Sequence, residues 1–108
     1  MNIAICEYEG RVAPRLNHVN KLLIVQLDDL NKILDTKTIK IRTNNYNELL
    51  NILKGLSIDV IICGAIEIFI RSNMALNKIQ VICNIIGDIG RVIKCYLEGN
   101  LSDDMIIL

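Results

Sequence analysis

The pattern of apolar and polar positions divides the chain into two textures. Up to about Thr43 it is strand-like: Ile3 to Cys6, Lys21 to Leu27, then roughly Lys32 to Arg42, where Thr36, Thr38, Ile39 and Ile41 favour extended backbone. The polar cluster Asp28-Asp29-Leu30-Asn31 sets a turn between the second and third runs, which makes a β-meander. From Asn44 onward, helical and strand patterns alternate. Asn47 to Lys54 carries Leu49, Leu50, Ile52 and Leu53 at helical spacing and stops at Gly55. Val60 to Cys63 reads as a buried strand. Glu67 to Leu76 reads as a helix ended by Asn77, with β-branched Ile66, Ile68 and Ile70 working against its start. Val81 to Ile86 is the next strand. Asp88 then caps a last helix with Ile89, Val92, Ile93, Tyr96 and Leu97 on its apolar face, closed by Gly99. Residues 1–102 form one domain, and the apolar tail 103–108 is expected to be loosely attached.

The order βββαβαβα predicts an α/β fold, a mixed sheet of five strands with three helices. Crossover helices make the later strands parallel. Right-handed crossovers place the first strand in the centre, with the meander on one side and the two later strands on the other. Three of the runs end in cysteine: Cys6, Cys63 and Cys83. In parallel neighbours those thiols meet at the carboxyl edge of the sheet, where open α/β sheets bind ligands. Thiolates there suit a soft metal or an iron-sulfur species. Buried cysteine is also an ordinary small hydrophobe, and a one-residue difference in strand phase would send a thiol to the opposite face. Cys95, inside the last helix, reads as core.

Composition narrows the class. At 108 residues, 52% hydrophobic, the chain has ample material for one core. Twelve basic and twelve acidic residues leave no net charge, so no global field recruits nucleic acid or an anionic membrane. An aromatic content of 4% disfavours base stacking. No apolar run approaches the roughly 20 residues of a spanning helix, and the opening residues read as a strand rather than a signal peptide. Four cysteines without disulfide-framework spacing fit a reducing compartment, so a cytoplasmic location is expected. Neither GxxxxGKS/T nor GxGxxG occurs. A two-metal nuclease would need convergent carboxylates, and the first strand carries none inside it.

The resemblance to a known family rests on several segments in order. They are Met1-Asn2-Ile3-Ala4-Ile5, Arg11-Val12-Ala13-Pro14-Arg15-Leu16-Asn17-His18-Val19, Leu22-Leu23-Ile24-Val25, Leu56-Ser57-Ile58-Asp59-Val60-Ile61-Ile62-Cys63-Gly64 and Tyr96-Leu97-Glu98-Gly99-Asn100-Leu101. Together they resemble the dinitrogenase iron-molybdenum cofactor biosynthesis family, over roughly residues 1 to 102. That resemblance implies a ribonuclease H-like fold and a part in carrying or inserting the nitrogenase cofactor. The chain departs from the family where its ligand loop has His-Phe-Gly, here Arg15-Leu16-Asn17, and only His18 falls on a position that is often His. Arg42-Thr43-Asn44-Asn45-Tyr46 replaces a glycine- and histidine-rich stretch.

The resulting expectation is a non-enzymatic binding or carrier domain for a metal cluster of iron-sulfur or iron-molybdenum type, or its precursor. Arg15, His18 and Gly64 are the candidate cofactor-binding residues; Cys6, Cys63, Cys83 and His18 are the candidate metal ligands. Arg15 offers a guanidinium to an anion, and the turn at Gly64 offers backbone N–H groups. The alternative is a metal-free module for a small ligand or a protein. The partners expected are the cluster or a small anion and a cofactor-recipient protein. Self-association into a homodimer through Met105-Ile106-Ile107-Leu108 is a further expectation.

Overall fold

A computed structural model describes residues 1–108 except Thr43 and the side chain of His18. Five strands form the path β4-β3-β1-β5-β6 of one sheet, with short β2 paired to β1. They are β1 (Asn2–Tyr8), β2 (Arg11–Val12), β3 (Lys21–Leu27), β4 (Ile33–Lys40), β5 (Val60–Ile62) and β6 (Gln80–Ile82). β3 runs antiparallel to β1 and β4, whereas β1, β5 and β6 run parallel. The mixed sheet, three helices and central first strand therefore agree with the sequence expectation.

Side-chain alternation along the strands sorts two apolar layers. Ala4, Cys6, Ile24, Ile61 and Val81 face helices α1 (Tyr46–Gly55) and α2 (Ile68–Leu76), meeting Leu49, Leu53, Ile70 and Met74. Ile3, Ile5, Val25, Val60 and Ile62 face α3 (Ile89–Leu97) and pack on Val92, Ile93, Tyr96 and Leu97. The helices end as their residues dictate. Asn45 accepts from the backbone N–H groups of Asn47 and Glu48 at the start of α1, and Asp88 accepts from Arg91 N–H at the start of α3. No described helix is long and apolar enough to cross a membrane.

The structure departs from the sequence expectation in three places. First, β1 turns back into β2 through Glu9 and Gly10, both at positive φ (52° and 79°), a tight hairpin that the polar sequence there concealed. Second, the strand expected over Val81–Ile86 is broken. Asn84 takes the left-handed conformation (φ 57°), so β6 stops at Ile82 and a separate β7 (Ile86–Gly87) follows. Third, the tail is not loose. β8 (Ile106–Ile107) pairs in parallel with β7, and the segment before it is bonded to the end of β6: Asp103 accepts from Cys83 N–H at 3.0 Å, and Asp104 N–H donates to the Cys83 carbonyl at 3.0 Å. Apolar residues at a chain end secured this way need no partner subunit to be paired. Replacing the α3 cap, Asp88→Ala, is expected to cost about 1 kcal/mol of stability, read as a lowered urea midpoint with an unchanged m-value.

Candidate functional site

The three strand-end thiols do meet. The last registered rung joins Ile5, Ile62 and Ile82, and Cys6, Cys63 and Cys83 each come one residue later. All three belong to the apolar layer under α1 and α2, so strand phase puts them on one face. They are buried, two of them completely. Burial, and then the neighbouring Cys63, pushes the Cys6 thiol well above the ordinary range. Burial, and then Cys83, pushes Cys63 up to about 12. Burial also raises Cys83, against the opposing charge of Arg71. Burial thus favours the protonated form along the row, and a metal bound there would have to displace those protons. Among the described residues, no group of three or more His, Cys, Asp or Glu is placed to hold a metal ion.

Cys83 has a polar surround that the sequence did not disclose. Arg71, on α2, donates through Nη1 to Cys83 Sγ at 3.0 Å and through Nη2 to the Val81 carbonyl at 3.0 Å and to Asp103 at 2.8 Å. Asp103 accepts from both Cys83 N–H and Arg71, which holds its carboxyl below the usual range. Arg71 and Asp103 are 32 positions apart, and no local motif links them.

The first loop lies on the same carboxyl edge, above the thiols. Ala13 N–H donates to the Cys6 carbonyl at 2.9 Å, and the chain then runs beside the turn after β5. Ala65 N–H donates to the Pro14 carbonyl at 2.8 Å, Leu16 N–H donates to the Ala65 carbonyl at 2.9 Å, and Arg15 forms a parallel bridge with Ala65. Gly64 makes this approach feasible, because a Cβ there would collide with the carbonyl oxygens of Ala13 and Pro14. Gly64 thus allows close backbone packing, and the N–H of the following residue, Ala65, is already taken by Pro14.

Arg15 is exposed and borders a recess of about 180 Å³ with Asn17, Tyr46, Ala65, Ile66 and Glu67. Glu67 is the residue before α2, yet its side chain makes no capping hydrogen bond. The first-turn N–H groups therefore lack the acceptor that a cap would supply. His18 belongs by its backbone to the short turn Leu16–His18 beside the recess; its imidazole, and with it the expected ligand role, lies outside the described residues. A larger recess of about 350 Å³ lies between α1 and α2, walled by Tyr46, Leu50, Phe69, Ile70, Asn73 and Met74. None of those six carries a formal charge at neutral pH, so it is poorly suited to an ionic ligand. Tyr46 and Glu67 were missed from sequence because they are brought to Arg15 from two other segments, the start of α1 and the residue before α2.

Comparison with known proteins agrees with this geometry at the level of fold. No family model matches the chain, and no curated protein matches it by sequence. Solved structures do. The "putative dinitrogenase" of Methanocaldococcus jannaschii superposes with a TM-score of 0.74 at 27% identity, over 94% of this chain and 92% of that one. The protein PH0822 superposes with a TM-score of 0.86 at 18% identity, over 96% and 95%. The apo form of the orange protein from Desulfovibrio gigas superposes with a TM-score of 0.74 at 13% identity, over 94% and 91%. The chain has the fold of a group of small proteins that includes nitrogenase-related members.

Two predictions follow from the thiols and the glycine. A thiol raised by folding favours the folded state below the ordinary value of 9.0, and that contribution is lost as pH climbs from there towards about 12 for Cys63. Stability should therefore fall between pH 9 and 11, by up to about 1.4 kcal/mol per pH unit for each such thiol. Denaturant titrations at stepped pH should show a shallower decline for Cys63→Ala. Gly64→Ala should be destabilised by roughly 1–3 kcal/mol or more through backbone overpacking, seen as a lower thermal midpoint.

Proposed function

We propose that this chain is a non-enzymatic carrier or binding domain for an anionic metal cluster or its precursor, on a ribonuclease H-like sheet. The observation that carries the reading is the zipping of Arg15 onto Ala65. It sets a guanidinium beside an uncapped helix start at the carboxyl edge of the sheet. The shared fold supports it: one structural neighbour bears a dinitrogenase name, and another is described in an apo form, which implies a bound group in its complete state.

The donors at the recess are a guanidinium, an amide and backbone N–H groups. They suit a preassembled anion held through its outer atoms rather than a metal bonded to protein sulfur. Glu67 on the rim opposes part of that attraction, so the hold is weak, as handing cargo to a recipient protein requires. The buried thiols lie beneath as core; they would enter as ligands only by losing protons that burial retains. Four free cysteines fit work in a reducing compartment such as the cytoplasm.

The reduced protein, equilibrated by anaerobic dialysis against a preassembled anionic iron-sulfide cluster, is expected to retain iron above the free concentration, with the cluster's visible charge-transfer band. Arg15→Ala should lower retention on the order of tenfold with the fold intact by circular dichroism. Retention that survives Arg15→Ala but disappears in Cys6→Ser, Cys63→Ser would move the site to the thiols. A wild-type chain that keeps no iron would leave the metal-free binding module as the better reading.

A further inference from the structure

The two edges of the main sheet are finished differently. At β6 the edge is three residues long; Arg71 donates to the Val81 carbonyl, and the tail takes both backbone groups of Cys83. Nothing comparable closes β4. This edge strand runs eight residues, seven of them exposed, and among the described residues its registered partner is β3 alone. Ile33 and Leu34 are 47% and 60% exposed. A long open edge with apolar residues is a template for another strand, and proteins that remain monomeric normally blunt it with a proline, a bulge, a cover or charged side chains, lysine above all; β4 carries Asp35 and Lys37, whose opposite signs disfavour a second strand only in some registers. Between the rungs Gln26–Asp35 and Leu27–Ile33 the extra residue, Leu34, makes a bulge near the start of β4, which leaves Asp35 to Lys40 regular. No proline occurs in the strand.

The sequence of β4 is complementary to its own reverse. A two-fold axis normal to the sheet keeps every side chain on its face, so it must be centred on a residue. Centred on Asp35 or on Lys37, it sets like charges opposite each other. Centred on Thr36, it sets Asp35 opposite Lys37 of the second copy and Lys37 opposite Asp35, with Thr36 against Thr36, all within the regular stretch of the strand. Asp35 and Lys37 share a face, since they stand opposite Gln26 and Ile24 of β3. Opposite charges placed directly across an antiparallel pair stabilise it, and like charges there destabilise it. We propose that two copies of this chain associate through antiparallel β4–β4 pairing centred on Thr36, which continues the sheet across the dimer, with reciprocal Asp35–Lys37 pairs fixing the register.

A single-strand interface of this size belongs to the weak class, so sedimentation velocity should span roughly 10 µM to 1 mM. The wild-type chain is expected to show a concentration-dependent dimer. D35K and K37D should each weaken self-association on the order of tenfold or more, since each places four like charges in register. Both positions are exposed, and unchanged urea midpoints will show that the variants fold. Mixing the two variants should restore association as a heterodimer, because the altered charges then face one another and so do the native ones. A wild-type chain that stays monomeric across the range would overturn the proposal. A dimer indifferent to both substitutions, or two variants that fail to associate when mixed, would overturn it as well.

Discussion

The backbone of Ala13 and Pro14 lies against Gly64 with no room for a Cβ between them, and the carboxyl edge of the sheet is organised around that approach. It lets Ala65 bond to Pro14 and Leu16 to Ala65, which ties the first loop to the turn between β5 and α2. The loop then closes over the ends of β1 and β5, and the thiols beneath are cut off from water. The same contact delivers Arg15 to the start of α2. Burial of the sulfurs and exposure of the guanidinium are two results of one close packing of backbones.

Those two results divide the chemistry of the edge. Parallel pairing with equal strand phase brings Cys6, Cys63 and Cys83 into one row, with Cys63 between the other two. Coverage by the first loop, α1 and α2 then withholds the water that would stabilise charge on sulfur. Each thiol also sits beside another, so ionising one makes ionising the next harder. Arg71 is the single cation that opposes this, and its effect falls at the Cys83 end, where it is shared with Asp103 and the Val81 carbonyl. A row of cysteines is thereby a feature of the core, while polar recognition is left to the rim.

The central strand order was legible because hydrophobic runs, Gly55 and Asp88 gave consistent local signals that agreed with one parallel topology. The common face of the three cysteines was legible as an alternative only, since phase depends on where each strand begins pairing, and Val60 and Gln80 align with Ile3 through tertiary hydrogen bonds rather than through any local cue. The tail misled for a different reason. Its apolar residues look unattached until Asp103 and Asp104 are seen to bond to Cys83, and that pairing spans some twenty residues. Arg15 was visible as a charge in a loop, but its neighbours Tyr46 and Glu67 enter from other elements. Gly64 was visible too, and its meaning changed, because a glycine in a turn serves an anion or a close approach equally well until the opposing atoms are known.

Among the described residues the core buries no polar or charged side chain and leaves no buried side-chain nitrogen or oxygen without a partner. Catalysis of proton transfer or nucleophilic attack draws on groups whose acidity is tuned towards neutrality and which a substrate can reach. Here the strongest shifts are on thiols moved away from neutrality and sealed under a loop, whereas the recess at the rim offers a guanidinium, an amide, a phenol and the carboxylate of Glu67. The edge is thus layered: sulfur lies sealed in the apolar core, and Arg15 and Glu67 set opposite charges at the mouth of the recess above it.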